Sequence, residues 1–110
     1  MTTRLLSASS ITGDPVVNAN GDDLGSIKDL MVETESGKIA YAVLSFGGLL
    51  GFGDKLFAIP FEKFTIDFAQ KRMVLNVDQE QLENGPGFDK NDWPDFADPT
   101  FRSSVDIYYS

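Results

Sequence analysis

Residues 39–61 read IAYAVLSFGGLLGFGDKLFAIPF, two apolar runs joined by a glycine-rich connection, and the rest of the chain is organised around them. In the first run Ile39, Tyr41, Val43 and Ser45 share one face of an extended strand, while Ala40, Ala42, Leu44 and Phe46 share the other. A strand apolar on both faces belongs at the centre of a sandwich or a small closed barrel, covered outside by a loop, a tail or a partner. Lys55 to Ile59 supplies the pairing strand, and Pro60, which has no amide donor, ends the ladder. Between them lie Gly47, Gly48, Leu49, Leu50, Gly51, Phe52 and Gly53. The glycines permit a compact reversal, and Leu49, Leu50 and Phe52 make it greasy. This connection closes the end of the barrel or offers an interaction surface.

Outward from this hairpin the chain reads as short strands separated by turn signals. Leu5 and Leu6 form a short strand or a lead-in segment, and Ser7 to Ser10 reads as a loop. Gly13-Asp14-Pro15 turns into the brief strand Val16-Val17-Asn18, and Asn20-Gly21 reverses it. Leu24 to Glu33 is a bent or bulged strand, because turn signals flank it and Gly25 disfavours a helix. After Glu35-Ser36-Gly37-Lys38 comes the central hairpin, then a single turn over Phe61 to Phe64 and a strand over Thr65 to Phe68. Ala69-Gln70-Lys71 turns into Arg72 to Val77, the expected last strand, with Met73, Leu75 and Val77 on one face. Asp78, with Gln81 three residues on, caps a short helix through Leu82.

The composition changes beyond Gly85. The segment PGFDKNDWPDFADPTFRSSVDIYYS is rich in Asp, Pro and aromatic residues and reads as an extended arm. Domain organisation is thus a barrel-type domain over residues 1–83 and an aromatic, acidic arm over 84–110. Phe88, Trp93, Phe96, Phe101, Tyr108 and Tyr109 each gain about 1.5–3 kcal/mol on burial, so the arm wraps its own barrel or docks on another copy or another protein, with disorder the residual alternative. Trp93, Phe96, Phe101, Tyr108 and Tyr109 join the glycine connection as interaction candidates.

The inventory of reactive groups is short. The 110 residues contain no histidine and no cysteine, which removes the commonest general base, the thiolate nucleophile and the usual transition-metal ligands. Asp89, Asp92, Asp95 and Asp98 recur in the arm, but an EF-hand calcium loop needs oxygen ligands near Asn91 and Trp93 and a glycine at Pro94, a pattern that Trp93 and Pro94 break, and a solvated acidic face is the simpler reading. The glycine connection lacks the Gly-Lys-Ser or Gly-Lys-Thr sequence of a phosphate loop and opens no helix. Ser7, Ser9, Ser10, Ser103 and Ser104 have no histidine to activate them. No catalytic residue, cofactor or metal ligand is assigned.

A net charge of −8 opposes contact with phosphate backbones, and the nine Lys and Arg residues are scattered. Lys71-Arg72, the one adjacent basic pair, falls in a predicted turn. The first residues, MTTRLLSASSITG, lack the apolar core of a secretion signal, and no apolar stretch approaches the about 20 residues that span a bilayer. The expected location is the cytoplasm.

Taken in order, the motifs resemble the PRC-barrel domain family, known from the cytoplasmic domain of the photosynthetic reaction-centre H subunit and from the end of a ribosome maturation factor. The resemblance covers about Ser7 to Val77. It rests on Gly13 with Val16-Val17-Asn18, Asn20-Gly21 before Leu24-Gly25 and Ile27, Gly37 before Ile39-Ala40-Tyr41, and Gly47-Gly48-Leu49-Leu50-Gly51 leading to Ala58-Ile59-Pro60. Leu49 stands where the glycine motif usually has an aromatic residue, and Phe61 where a tryptophan is frequent. The resemblance implies a small, mostly antiparallel barrel; with the short helix and the extended C-terminal arm read from the residues, the expected fold is mainly all-β. It resembles freestanding bacterial or archaeal members more than either of these fusions. The implied role is a non-catalytic interaction or assembly module that forms homo-oligomers or binds another protein. Alternatives are an RNA-processing adaptor and a small-ligand or quinone-associated regulator of a membrane electron-transfer complex, the latter implying peripheral membrane association.

Overall fold

Seven strands form one sheet in the order β5-β6-β1-β2-β3-β4-β7. They are β1 (Pro15–Val17), β2 (Asp23–Val32), β3 (Ile39–Gly47), β4 (Asp54–Pro60), β5 (Phe64–Asp67), β6 (Arg72–Leu75) and β7 (Gly87–Phe88). Among the described residues three short α-helices accompany them, α1 (Ala8–Ile11), α2 (Gln79–Glu83) and α3 (Pro99–Tyr108), with a single 3-10 turn at Phe61–Lys63 as expected. The structure, a computed structural model, describes residues 5–47 and 54–110. Every pairing is antiparallel except β1 with β6, where Val16 lies opposite Met73.

The central hairpin follows directly from its sequence. β3 and β4 pair without interruption from Tyr41 opposite Pro60 to Gly47 opposite Asp54. Tyr41, Ala42, Val43 and Leu44 are all buried, so both faces of β3 are covered, as two apolar faces require. On the inner face Ala42 and Leu44 lie opposite Ile59 and Phe57. They join Val16, Leu24, Ile27, Met73 and Leu75 in the buried core.

Strand β2 bends to wrap that core. Its register against β3 shifts between Ile27 and Asp29 and again between Met31 and Val32, the signature of bulges. Gly25 makes the close approach at its start: φ is +99°, and a β-carbon there would overlap the Ser45 carbonyl oxygen. Asn18, at the turn between β1 and β2, is buried with its amide fully used. Its Nδ2 donates to Asp22 Oδ2 at 3.0 Å and the Val77 carbonyl at 3.2 Å, and its Oδ1 accepts from the Asn20 and Asp22 amides.

Four local expectations are corrected. Ser7 to Ser10 is not a loop: the Ser7 hydroxyl accepts from the Ser10 amide at 3.2 Å, capping the one-turn helix α1, which brings Ile11 into the core. Leu5 adds no strand and is 90% exposed. The strand over Arg72 to Leu75 is not the last, because β7 adds beside β4 with Phe88 opposite Leu56. Most consequentially, the arm is not extended throughout, since Pro99–Tyr108 is a helix. Asp98 caps it by accepting from the Thr100 amide at 2.9 Å, and Pro99 occupies the first turn, where its missing N–H costs nothing. The helix α2 forms as expected, with Asp78 accepting from the Gln81 amide at 2.6 Å and Leu82 buried.

Candidate interaction site

The outer face of the central hairpin presents Tyr41 and Val43 from β3 with Leu56 and Ala58 from β4, all buried. Residues 86–110 cover it. Phe88 extends the sheet beside Leu56, and Phe96 packs on Tyr41 with ring centroids 6.1 Å apart. Phe96 also meets Phe88 at 5.8 Å, Trp93 at 6.2 Å and Phe101 at 5.3 Å, making it the hub of an aromatic cluster. The helix α3 lies against β4 and buries Val105.

One polar node fastens α3 to the sheet. The Tyr41 hydroxyl donates to Asp106 Oδ1 at 3.2 Å and accepts from Arg102 Nε at 3.3 Å. The Arg102 guanidinium also lies 5.5 Å from the centre of the Tyr41 ring and 3.7 Å, through Nη2, from Glu33 Oε2. Burial raises the Tyr41 pKa; the Arg102 hydrogen bond acts against that rise and Asp106 reinforces it. Farther along α3 the Tyr108 hydroxyl donates to the Gln81 carbonyl, and Tyr109 is buried beside Gly85.

Six of the sequence-derived interaction candidates are therefore placed as follows. Phe96, Phe101, Tyr108 and Tyr109 pack on their own barrel, and Trp93, 37% exposed, caps the aromatic cluster with its indole N–H donated to the Lys90 carbonyl. Gly47 ends β3 with φ of +114°. Gly48, Leu49, Leu50, Gly51 and Phe52 lie outside the described residues.

Sequence reasoning did not single out Tyr41, Arg102, Asp106 or Glu33. Two grooves meet at this node, one of about 490 Å³ and one of about 260 Å³, and both are lined by Glu33, Ala40, Tyr41 and Arg102. A third, about 280 Å³, lies between Leu6, Ile66 and Phe68 near the Lys71-Arg72 turn. There Arg72 pairs with Asp67 at 3.1 Å, and Lys71 adopts a left-handed φ of 54°. The acidic residues of the arm are exposed, and Asp95 and Asp98 accept from backbone amides. Among the described residues no three carboxylates gather as a metal site, and no helix is long and apolar enough to cross a membrane.

The family model for the PRC-barrel domain matches residues 4–82. No curated protein matches the chain. Among solved structures, a 16S ribosomal RNA processing protein RimM from Pseudomonas aeruginosa is similar, with a TM-score of 0.46 and 20% sequence identity. The likeness covers 68% of this chain and 45% of that one, so the chain spans less than half that protein's length.

Proposed function

The chain belongs to the PRC-barrel domain family, and from that premise we propose that it is a non-catalytic assembly module that associates with further copies of itself. The contact surface in this reading is the glycine-rich connection, Gly47 to Phe52, with Trp93 as a second contact. The carrying observation is that the outer face of the central hairpin is already covered by residues 86–110 of the same chain. The aromatic segment is thereby engaged on its own barrel, and in this reading Leu49, Leu50 and Phe52, the apolar residues of the glycine-rich connection, are the contact offered to a partner.

The non-catalytic part of the reading draws on how ionisable groups are used. Tyr41, Arg102, Asp106 and Glu33, which the fold brings together, hold α3 in place. A chain without histidine or cysteine is left with carboxylates as its only abundant general bases and nucleophiles. We place the module in the cytoplasm, free or against a larger complex.

Light-scattering mass after size exclusion, over a concentration series, tests the reading. A mass rising above the 12.1 kDa of one chain, and restored to it by Leu49→Ser with Leu50→Ser and Phe52→Ser, is the expected result. A monomer at every concentration overturns self-association.

A further inference from the structure

We propose that the two grooves meeting at Arg102 form one docking channel for a partner segment that carries basic residues among aliphatic ones. This deepens the reading as an interaction module and rests on it. The larger groove has an apolar floor built from Met31, Val32, Ala40 and Phe96. Val32 is 54% exposed there, a large aliphatic side chain at the end of β2 left open to solvent. The smaller groove continues past Arg102 toward Glu62 and Asp106. Such a floor takes up the aliphatic side chains of an extended peptide by removing apolar surface from water.

Charge complementarity selects the rest of the occupant. Glu33, Glu35, Glu62 and Asp106 line the channel against Arg102 and Lys38. Arg102 is already engaged by Glu33 and the Tyr41 hydroxyl. Glu35 and Glu62 are exposed and make no ion pair among the described residues. A guanidinium or ammonium group entering the channel meets these two carboxylates, whereas an acidic segment meets four carboxylates on a chain of net charge −8. The Glu33 contact is also open to exchange. At 3.7 Å between two partly exposed side chains the Arg102–Glu33 pair is a weak surface contact, so a partner's cation can take Glu33 while Tyr41 keeps Arg102 and α3 in place.

The test is selection of a displayed random heptapeptide library on the full chain, followed by fluorescence anisotropy with the enriched peptides. Enriched peptides should combine Arg or Lys with Leu, Val or Ile. Glu35→Lys with Glu62→Lys should weaken them about tenfold or more. Val32→Ser should weaken them without altering charge. The control, Glu80→Lys with Glu83→Lys, carries the same net charge on exposed positions of α2 and should leave binding unchanged. Unfolding midpoints of all three variants establish that they fold. The proposal is overturned if nothing is enriched, if enriched peptides lack basic residues, if the groove variants bind as well as the parent, or if the control loses binding equally. Scattering mass of the same samples keeps the assembly reading separate, since that reading fails on mass and the channel fails on peptide binding.

Discussion

Arg102 and Tyr41, 61 positions apart in the chain, form the contact that holds the C-terminal helix on the barrel, with Nε–H donated to the phenol oxygen at 3.3 Å and the guanidinium 5.5 Å from the ring centre. The phenol passes its own proton toward Asp106, so one buried side chain serves two residues of α3. Tyr41→Phe keeps the ring and removes both hydrogen bonds. Its expected cost is about 0.5–1.5 kcal/mol, measured by urea unfolding, because Arg102 and Asp106 retain access to water. Tyr41→Ala also removes the ring and should cost about 3–5 kcal/mol. Equal costs for the two would show that the polar node contributes most of the interaction.

Phe96 is the ring on which the arm is centred, touching Tyr41, Phe88, Trp93 and Phe101. Phe96→Ala should destabilise by about 2–4 kcal/mol and shift the emission of Trp93, the only tryptophan, to longer wavelength as its packing is lost. Unchanged emission would mean that Trp93 is held by something other than this cluster.

Gly25 and Gly37 both have positive φ, at +99° and +77°, yet they predict different mutants. At Gly37 a β-carbon meets nothing within 4 Å, so Gly37→Ala carries only backbone strain, about 1 kcal/mol. At Gly25 the same atom runs into the Ser45 carbonyl and forces β2 from β3, and the cost should exceed about 3 kcal/mol. Denaturant midpoints of the two variants decide it, and similar losses would contradict the close approach described here.

Alkaline pH should destabilise the fold through its tyrosines. Burial pushes the Tyr109 phenol far above its ordinary pKa of 10.0, and Tyr41 is raised as well. A group with a raised folded-state pKa contributes stability that is complete below the unfolded value and is lost as pH climbs above it. Thermal stability should therefore be insensitive to these two groups up to about pH 10 and fall beyond it. Tyr109→Phe should flatten part of that fall. The Tyr109 hydroxyl has no hydrogen-bond partner among the described residues, so at neutral pH the same variant should be neutral or more stable by up to about 1 kcal/mol. A loss of stability at neutral pH would reveal a partner for that hydroxyl.

The barrel was legible in the sequence because its signals are local. The apolar run Ile39 to Phe46, the alternation in Arg72 to Leu75, the turn at Asn20-Gly21 and the cap at Asp78 each depend on neighbours within a few residues. The helix α3 carried local signals too. Asp98-Pro99 is a start signal, and Phe101, Val105 and Tyr108 recur at helical spacing, but the Asp and Pro content of the preceding stretch obscured them. The polar node was not legible. Tyr41 reads as one more apolar strand position and Arg102 as an isolated cation, and only the docking of α3 across the sheet joins them. The same holds for the grooves, whose walls come from the β2–β3 turn and the C-terminal segment.

In the proposed assembly the C-terminal segment serves its own barrel while the glycine-rich connection serves contact between copies. Hydrogen exchange of the full chain, read by mass spectrometry at a low concentration favouring monomer and a high one favouring oligomer, tests both halves together. Added protection in residues 47–53 at high concentration and constant protection of residues 99–108 are the expected result. Protection of 99–108 that rises with concentration, with 47–53 unchanged, would show that the helix is exchanged between copies and would contradict that assembly.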